Sequence, residues 1–354
     1  MSRLIMGLLA AAVTMPVWAE EETESVDLRY RSYRNWSLQL PRETWFPLKN
    51  GIRISHAGGE SFAFEFEGTS LRVDTDGDGE LDRTIKALVD PKTMVSSTRV
   101  ILNGTDKSGK PFRYAARLRN DADGWEWAPG GAMAGTINTQ AGPIPVRIID
   151  QNGNGKFNDV GSDAMIVGNT DHAMMLSTTV YVDEKLQTIA ISEDGKSFQL
   201  SDYQGPTSEI DMSTSFNSKA VLLSSVIISA DRNHSFDVAA IEGPVRVPAG
   251  KYTVVAGVVG LGQHRVTISA GRMKPLALEA NRSKKFDWGG PVASEFQFAR
   301  VGDAVQFSPN AIWYYGKAGE QYTGWHPIGK SPEFKVLDAD TQVVLEVAIL
   351  PGSC

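Results

Sequence analysis

The chain has 354 residues, 42% of them hydrophobic and 22% charged, with 35 Lys and Arg against 42 Asp and Glu for a formal net charge of −7. An acidic balance without a basic patch argues against nucleic-acid binding, which draws its affinity from Lys and Arg neutralising phosphates. The hydrophobic content is that of a globular chain with cores to bury, and glycine, at 34 residues, is on the high side.

The N-terminus reads as an export signal over residues 1–19. Arg3 supplies the positive start, Leu4 to Val13 the short apolar run, and Val17-Trp18-Ala19 the pattern before cleavage, after which Glu20-Glu21-Glu22 opens a polar chain. That apolar run is too short to span a bilayer, and no later segment approaches transmembrane length. The expectation is an exported protein, periplasmic or extracellular, with room for two or three domains. The only cysteine is Cys354, so no intramolecular disulfide can form. Cys354 reads either as an interchain bridge or as a thiol in a frayed tail.

Residues 20–45 form a charged lead-in that carries Trp36 and Trp45. Beyond it the pattern is one of short strands. Phe62-Ala63-Phe64-Glu65-Phe66 alternates apolar and polar residues as a half-buried strand does, and Phe112 to Leu118 follows more loosely. Ile144 to Ile149, Val226 to Ile228, Val245 to Val247, Tyr252 to Val255 and Val343 to Val347 read as further strands. Asn103-Gly104, Ser108-Gly109, Asp194-Gly195 and Ala249-Gly250 punctuate them. This spacing predicts a mainly β fold of two or three antiparallel sandwich-like domains with calcium-binding loops between strands. The expected divisions are 46–170, 171–283 and 284–354, the last a separate domain or a closing sheet of the second.

The chemistry concentrates in two loops. Asp74-Thr75-Asp76-Gly77-Asp78-Gly79-Glu80-Leu81-Asp82 places carboxylates at loop positions 1, 3, 5 and 9, glycine at 6, and the Glu80 carbonyl at 7. Asp150-Gln151-Asn152-Gly153-Asn154-Gly155-Lys156-Phe157-Asn158 repeats the design with amides at 3, 5 and 9 and the Lys156 carbonyl at 7. Asp-Gly and Asn-Gly pairs also favour metal-free hairpin turns, but turn chemistry does not account for carboxylates at alternate positions, which repel one another without a cation. These stretches resemble the calcium loops of the EF-hand, dockerin and thrombospondin type 3 families. The resemblance implies calcium as the bound ion, with Asp74, Asp76, Asp78, Glu80 and Asp82 in one site and Asp150, Asn152, Asn154, Lys156 and Asn158 in the other. Magnesium fits less well, because it retains its waters and takes fewer protein ligands. Both loops lack the bidentate Glu of an EF-hand at position 12, where Ile85 and Gly161 stand. Asp159 and Asp163 are placed to complete the second site, and Asp90 is a more distant candidate for the first. The flanks read as strands, which predicts fixed loops without an EF-hand opening motion.

Other signals are thinner. The five histidines show no zinc-site spacing, and Asp171-His172 reads first as a strand-end pair. Asp231-Arg232-Asn233-His234-Ser235-Phe236 starts like a calcium loop but lacks the acidic fifth position and the glycine. No nucleophile elbow, phosphate loop or dinucleotide fingerprint occurs. Pro248-Ala249-Gly250-Lys251-Tyr252-Thr253-Val254 resembles the strand entry of transthyretin-like and carboxypeptidase-regulatory-like sandwiches, whose modules are accessory or binding units. The aromatic run Trp313 to Trp325 reads as core, or else as a platform for a carbohydrate or protein partner. The expectation is therefore an exported calcium-binding β protein with a binding or structural role at the envelope or outside the cell. The alternative is a secreted hydrolase acting on carbohydrate.

Overall fold

Alternation runs through the sequence and sustained helical periodicity does not, and the secondary structure follows. The computed structural model describes residues 24–49, 51–54, 61–91, 94–106, 108–121, 124–241, 243–302, 304–326 and 333–349. Every helix or strand element among them is a β-strand, and no helix long and apolar enough to cross a membrane occurs. The sheets are antiparallel apart from two short parallel pairs. The export segment 1–19, His56 and Cys354 lie outside the described residues.

Two five-stranded sheets build the first core. One runs in the order Phe46–Pro47, Gly124–Pro129, Pro111–Asp121, Ser96–Thr105, Leu88–Val89. The other runs Met174–Met175, Ala164–Val167, Gly142–Ile149, Gly131–Thr139, Arg29–Ser32. Strands Ser96–Thr105 and Pro111–Asp121 pair along their whole length, from Ser96 opposite Asn120 to Thr105 opposite Pro111. Val100 and Leu102 on one strand and Tyr114, Ala116 and Leu118 on the other turn inward at the two-residue period of a strand.

A third sheet, ordered Glu24–Asp27, Ser197–Asp202, Lys185–Ile191, Thr179–Val182, packs into that same core through Val26, Val180, Ile189, Phe198 and Leu200. Two expectations are corrected here. The lead-in is no separate segment, because residues 24–27 and 29–32 each join a sheet and Val26 and Leu28 are buried. The division expected after residue 170 falls inside the first core, which takes in Val180, Ile189, Phe198 and Leu200 and reaches Val226. Local pattern cannot reveal this: the partner of Val26 is Phe198, far along the chain.

The second core is covered by an eight-stranded sheet whose central strands are Val221–Ser229, Gly250–Leu261 and His264–Ser269. Ile210, Phe236, Tyr252, Leu276, Trp288 and Tyr322 fill it. Within the Pro248–Val254 stretch, the buried Tyr252 hydroxyl donates to the Pro248 carbonyl at 2.9 Å, which fixes the strand entry. Further out, hairpin Glu333–Leu337/Val344–Ile349 leaves Leu345 62% exposed.

Phe198→Ala is expected to destabilise the first core by about 3–5 kcal/mol, whereas Leu345→Ala changes stability by less than about 0.5 kcal/mol. Urea unfolding followed by tryptophan fluorescence measures both.

Candidate metal centre

The first loop connects strand Ser70–Val73 to strand Arg83–Lys86, with Val73 opposite Arg83, so it closes a hairpin. Position 12 is Ile85, a strand residue packed against the first core, which explains why no glutamate stands there. Asp74 is completely buried at the base of the loop. Its Oδ1 accepts from the backbone N–H of Gly77 at 2.7 Å and of Asp76 at 3.3 Å, and its Oδ2 from that of Gly79 at 3.0 Å. Gly79 has φ of +89°, a conformation glycine adopts without steric cost. Asp76 then accepts from Asp78 N–H at 3.4 Å, and Asp78 from Glu80 N–H at 2.8 Å.

This winding gathers three carboxylates. One oxygen from each of Asp74, Asp76 and Asp78 lies within 4.8 Å of the other two, a grouping of acidic, His or Cys side chains found nowhere else among the described residues. Two oxygens bound to one calcium at about 2.4 Å each are at most about 4.8 Å apart, so the cluster can hold a metal ion. Asp76 and Asp78 are exposed and Asp74 is buried, which gives the cluster an open side and an anchored side.

Two expected ligands stand apart. Asp82 closes a clasp on Thr75, accepting from its N–H at 3.0 Å and from its hydroxyl at 2.7 Å. That hydroxyl bond holds the Asp82 carboxyl below its usual range. The Thr75 carbonyl in turn accepts from Asn103 N–H at 2.8 Å, which ties the loop to the neighbouring strand. Asp90 lies in the turn before strand Ser96–Thr105, where its carbonyl accepts from Met94 N–H, and it does not join the cluster. Glu80 is exposed. Thr75 was not expected as a functional residue, because only the folded loop brings positions 2 and 9 together.

The second loop connects adjacent strands as well, with Ile149 opposite Ala164. Asp150 is completely buried, and its Oδ2 accepts from the Tyr114 hydroxyl at 2.8 Å and Gly155 N–H at 2.6 Å, while Oδ1 accepts from Asn154 N–H at 3.0 Å. Gly155, at position 6, has φ of +83°. The amide nitrogens of Asn152 and Asn154 both donate to Asp159 Oδ2, at 2.8 and 2.5 Å. Phe157 is buried edge-on to Tyr30, so the apolar position 8 anchors the loop in the core. The Lys156 ammonium pairs with Glu193 at 3.1 Å, leaving only its carbonyl for the site, and the Asn158 carbonyl accepts from Val160 N–H.

Asp163 is completely buried and accepts from Asp159 N–H at 3.0 Å. Burial pushes its carboxyl well up, and the neighbouring Asp150 charge pushes it further. Asp150 is also raised by burial, against the Tyr114 and backbone hydrogen bonds that favour its charged form. Tyr114, buried beside Asp150, is raised by the same two causes, burial first. Its role has no local signal in the sequence, since the two residues meet only across the core.

The remaining candidates are spread over the molecule. Asp171 accepts from the Ser37 hydroxyl, and half-buried His172 lines a cavity of about 80 Å³ together with buried Asp237. Asp231 binds Ser229 and Asn233 within its own turn. In the aromatic run, Tyr322 is core, Tyr315 lies under the Arg272 guanidinium at 4.1 Å, and Trp325 is 46% exposed. No family model, no curated protein and no solved structure matches this chain.

Thr75→Val keeps the shape of the clasp and removes its hydroxyl donor. A loss of about 1 kcal/mol in chelator is expected, with Thr75→Ser close to the parent, both read by thermal melting.

Proposed function

We propose that the chain is an exported β protein stabilised by calcium at the Asp74 loop, with a structural or binding role at the cell envelope or outside the cell. The convergence of Asp74, Asp76 and Asp78 oxygens carries this reading. Three carboxylates at that separation repel one another, and a divalent cation reverses the sign of the interaction. Hard oxygen donors suit calcium, whereas magnesium demands near-ideal octahedral geometry.

Two features of the chain support the location and the role. The signal-like pattern of residues 1–19 would deliver the protein to compartments where calcium is plentiful and disulfides are usual. With Cys354 as the only cysteine, a metal clamp can do the cross-linking that disulfides do elsewhere. The loop closes a hairpin and is tied to the next sheet through Thr75 and Asn103, so an ion there braces strands. For a dissociation constant in the range of about 10⁻⁴ to 10⁻³ M, a tenfold excess of free calcium adds about 1.4 kcal/mol of stability.

The test is calorimetric titration of the full chain with calcium, beside Asp76→Asn/Asp78→Asn, which alters two exposed ligands and spares the buried Asp74. One equivalent of calcium and part of the calcium-induced rise in Tm are expected to disappear in the variant. A variant that binds as many ions as the parent would refute the assignment.

A further inference from the structure

The first loop does not exhaust the acidic chemistry of the first core. Asp163 Oδ1 is fully buried and has no hydrogen-bond partner, although the residue has no exposed surface at all. Gln151 Oε1 is likewise buried and unpartnered, while its amide nitrogen donates to the Ser162 carbonyl at 3.1 Å. Asp163 is turned toward the second loop, since its other oxygen accepts from Asp159 N–H. A buried carboxylate oxygen left unpaired costs considerable free energy. Cationic side chains do not relieve it: Lys156 pairs with Glu193, and Arg232, which reaches this turn, donates to the Gly161 carbonyl.

We propose that Asp150 and Asp163 form the floor of a second calcium site, in which Asp163 supplies from beyond the loop the carboxylate that position 12 lacks. Asp159 stands at the rim, where its carboxylate accepts from the loop amides. Asn152 and Asn154 hold Asp159 through their amide nitrogens and carry oxygen donors on those same groups. The two carboxylates of Asp150 and Asp163 with neutral amide and carbonyl oxygens make a hard donor set that suits calcium.

The consequence is mechanical. Asp150 ends strand Gly142–Ile149 and is bound by Tyr114 from the opposite sheet. The Asp163 carbonyl accepts from Leu176 N–H at 2.7 Å, and Gly161 N–H donates to the Leu176 carbonyl at 2.7 Å. Arg232 brings in a turn from beside the second core. An ion at this point would pin both main sheets of the first core and the contact that reaches it from the second, whereas the Asp74 site braces one hairpin. The proposal stands independently of the first loop.

The experiment uses the full chain carrying Asp76→Asn/Asp78→Asn, with calcium and terbium as probes. Tyr114 touches Asp150, and Trp127 lies 6.4 Å from Tyr114 between ring centres, so terbium in this site should emit when the aromatic rings are excited. The expected result is one remaining calcium equivalent and sensitised terbium emission that calcium displaces. Adding Asp163→Asn abolishes both. In the otherwise unaltered chain, Asp163→Asn should remove roughly half of the calcium-induced rise in Tm, as for two sites of similar affinity. In chelator it should melt no lower than the parent, because it relieves the repulsion with Asp150. Three results would overturn the proposal: no calcium-competed emission from the starting variant, an equivalent retained by Asp163→Asn, or a Tm change that is the same with and without calcium. The first of these decides even if the Asp163 variant fails to fold. Failure of the first-loop assignment appears separately, as identical stoichiometry in the parent and the Asp76/Asp78 variant.

Discussion

Both loops depend on one arrangement, a completely buried carboxylate held by the N–H groups of the loop that it begins. Asp74 receives bonds from Asp76, Gly77 and Gly79, and Asp150 receives them from Asn154 and Gly155. A charge with no exposed surface is tolerated only where hydrogen bonds and opposite charge replace lost water. The backbone supplies the first in both loops, and a cation is the natural source of the second. The glycines at position 6 make the arrangement possible, because their positive φ turns the N–H inward.

The sheets determine where these charges sit. Each loop spans neighbouring antiparallel strands, so its ends are fixed by a ladder. In the second loop the apolar eighth position, Phe157, enters the core and packs against Tyr30. Position 12 then falls where the strand or turn needs something else. Ile85 packs against the core, and Gly161 lies at φ of +70° close against Arg232. A β scaffold thus removes the ligand that a helix would present in an EF-hand and leaves other residues to replace it.

The strand character of the chain was legible from alternation, as in Phe112 to Leu118, where Tyr114, Ala116 and Leu118 turn inward, whereas Asn103-Gly104, which reads as a turn, lies within strand Ser96–Thr105. Converging carboxylates at positions 1, 3 and 5 of the first loop were legible too, because spacing within a tight turn is a local property. The partner of Asp82 was not legible, since Thr75 offers it two donors at short range only once the loop is folded. The reach of the first core was also hidden, since Val26 and Phe198 meet only through sheet pairing over a long stretch of chain.

By itself the sequence determined the fold class, the absence of an internal disulfide, and the loop positions at which oxygen donors and glycines recur. These depend on residue identity and short-range spacing. Only the tertiary structure decided that Asp82 belongs to Thr75, that Tyr114 caps Asp150, and that Asp163 is left with a buried, unpaired oxygen. Those outcomes turn on burial and on partners brought together across sheets, where the cost of an unsatisfied charge is set by the surrounding fold and not by its neighbours in the chain.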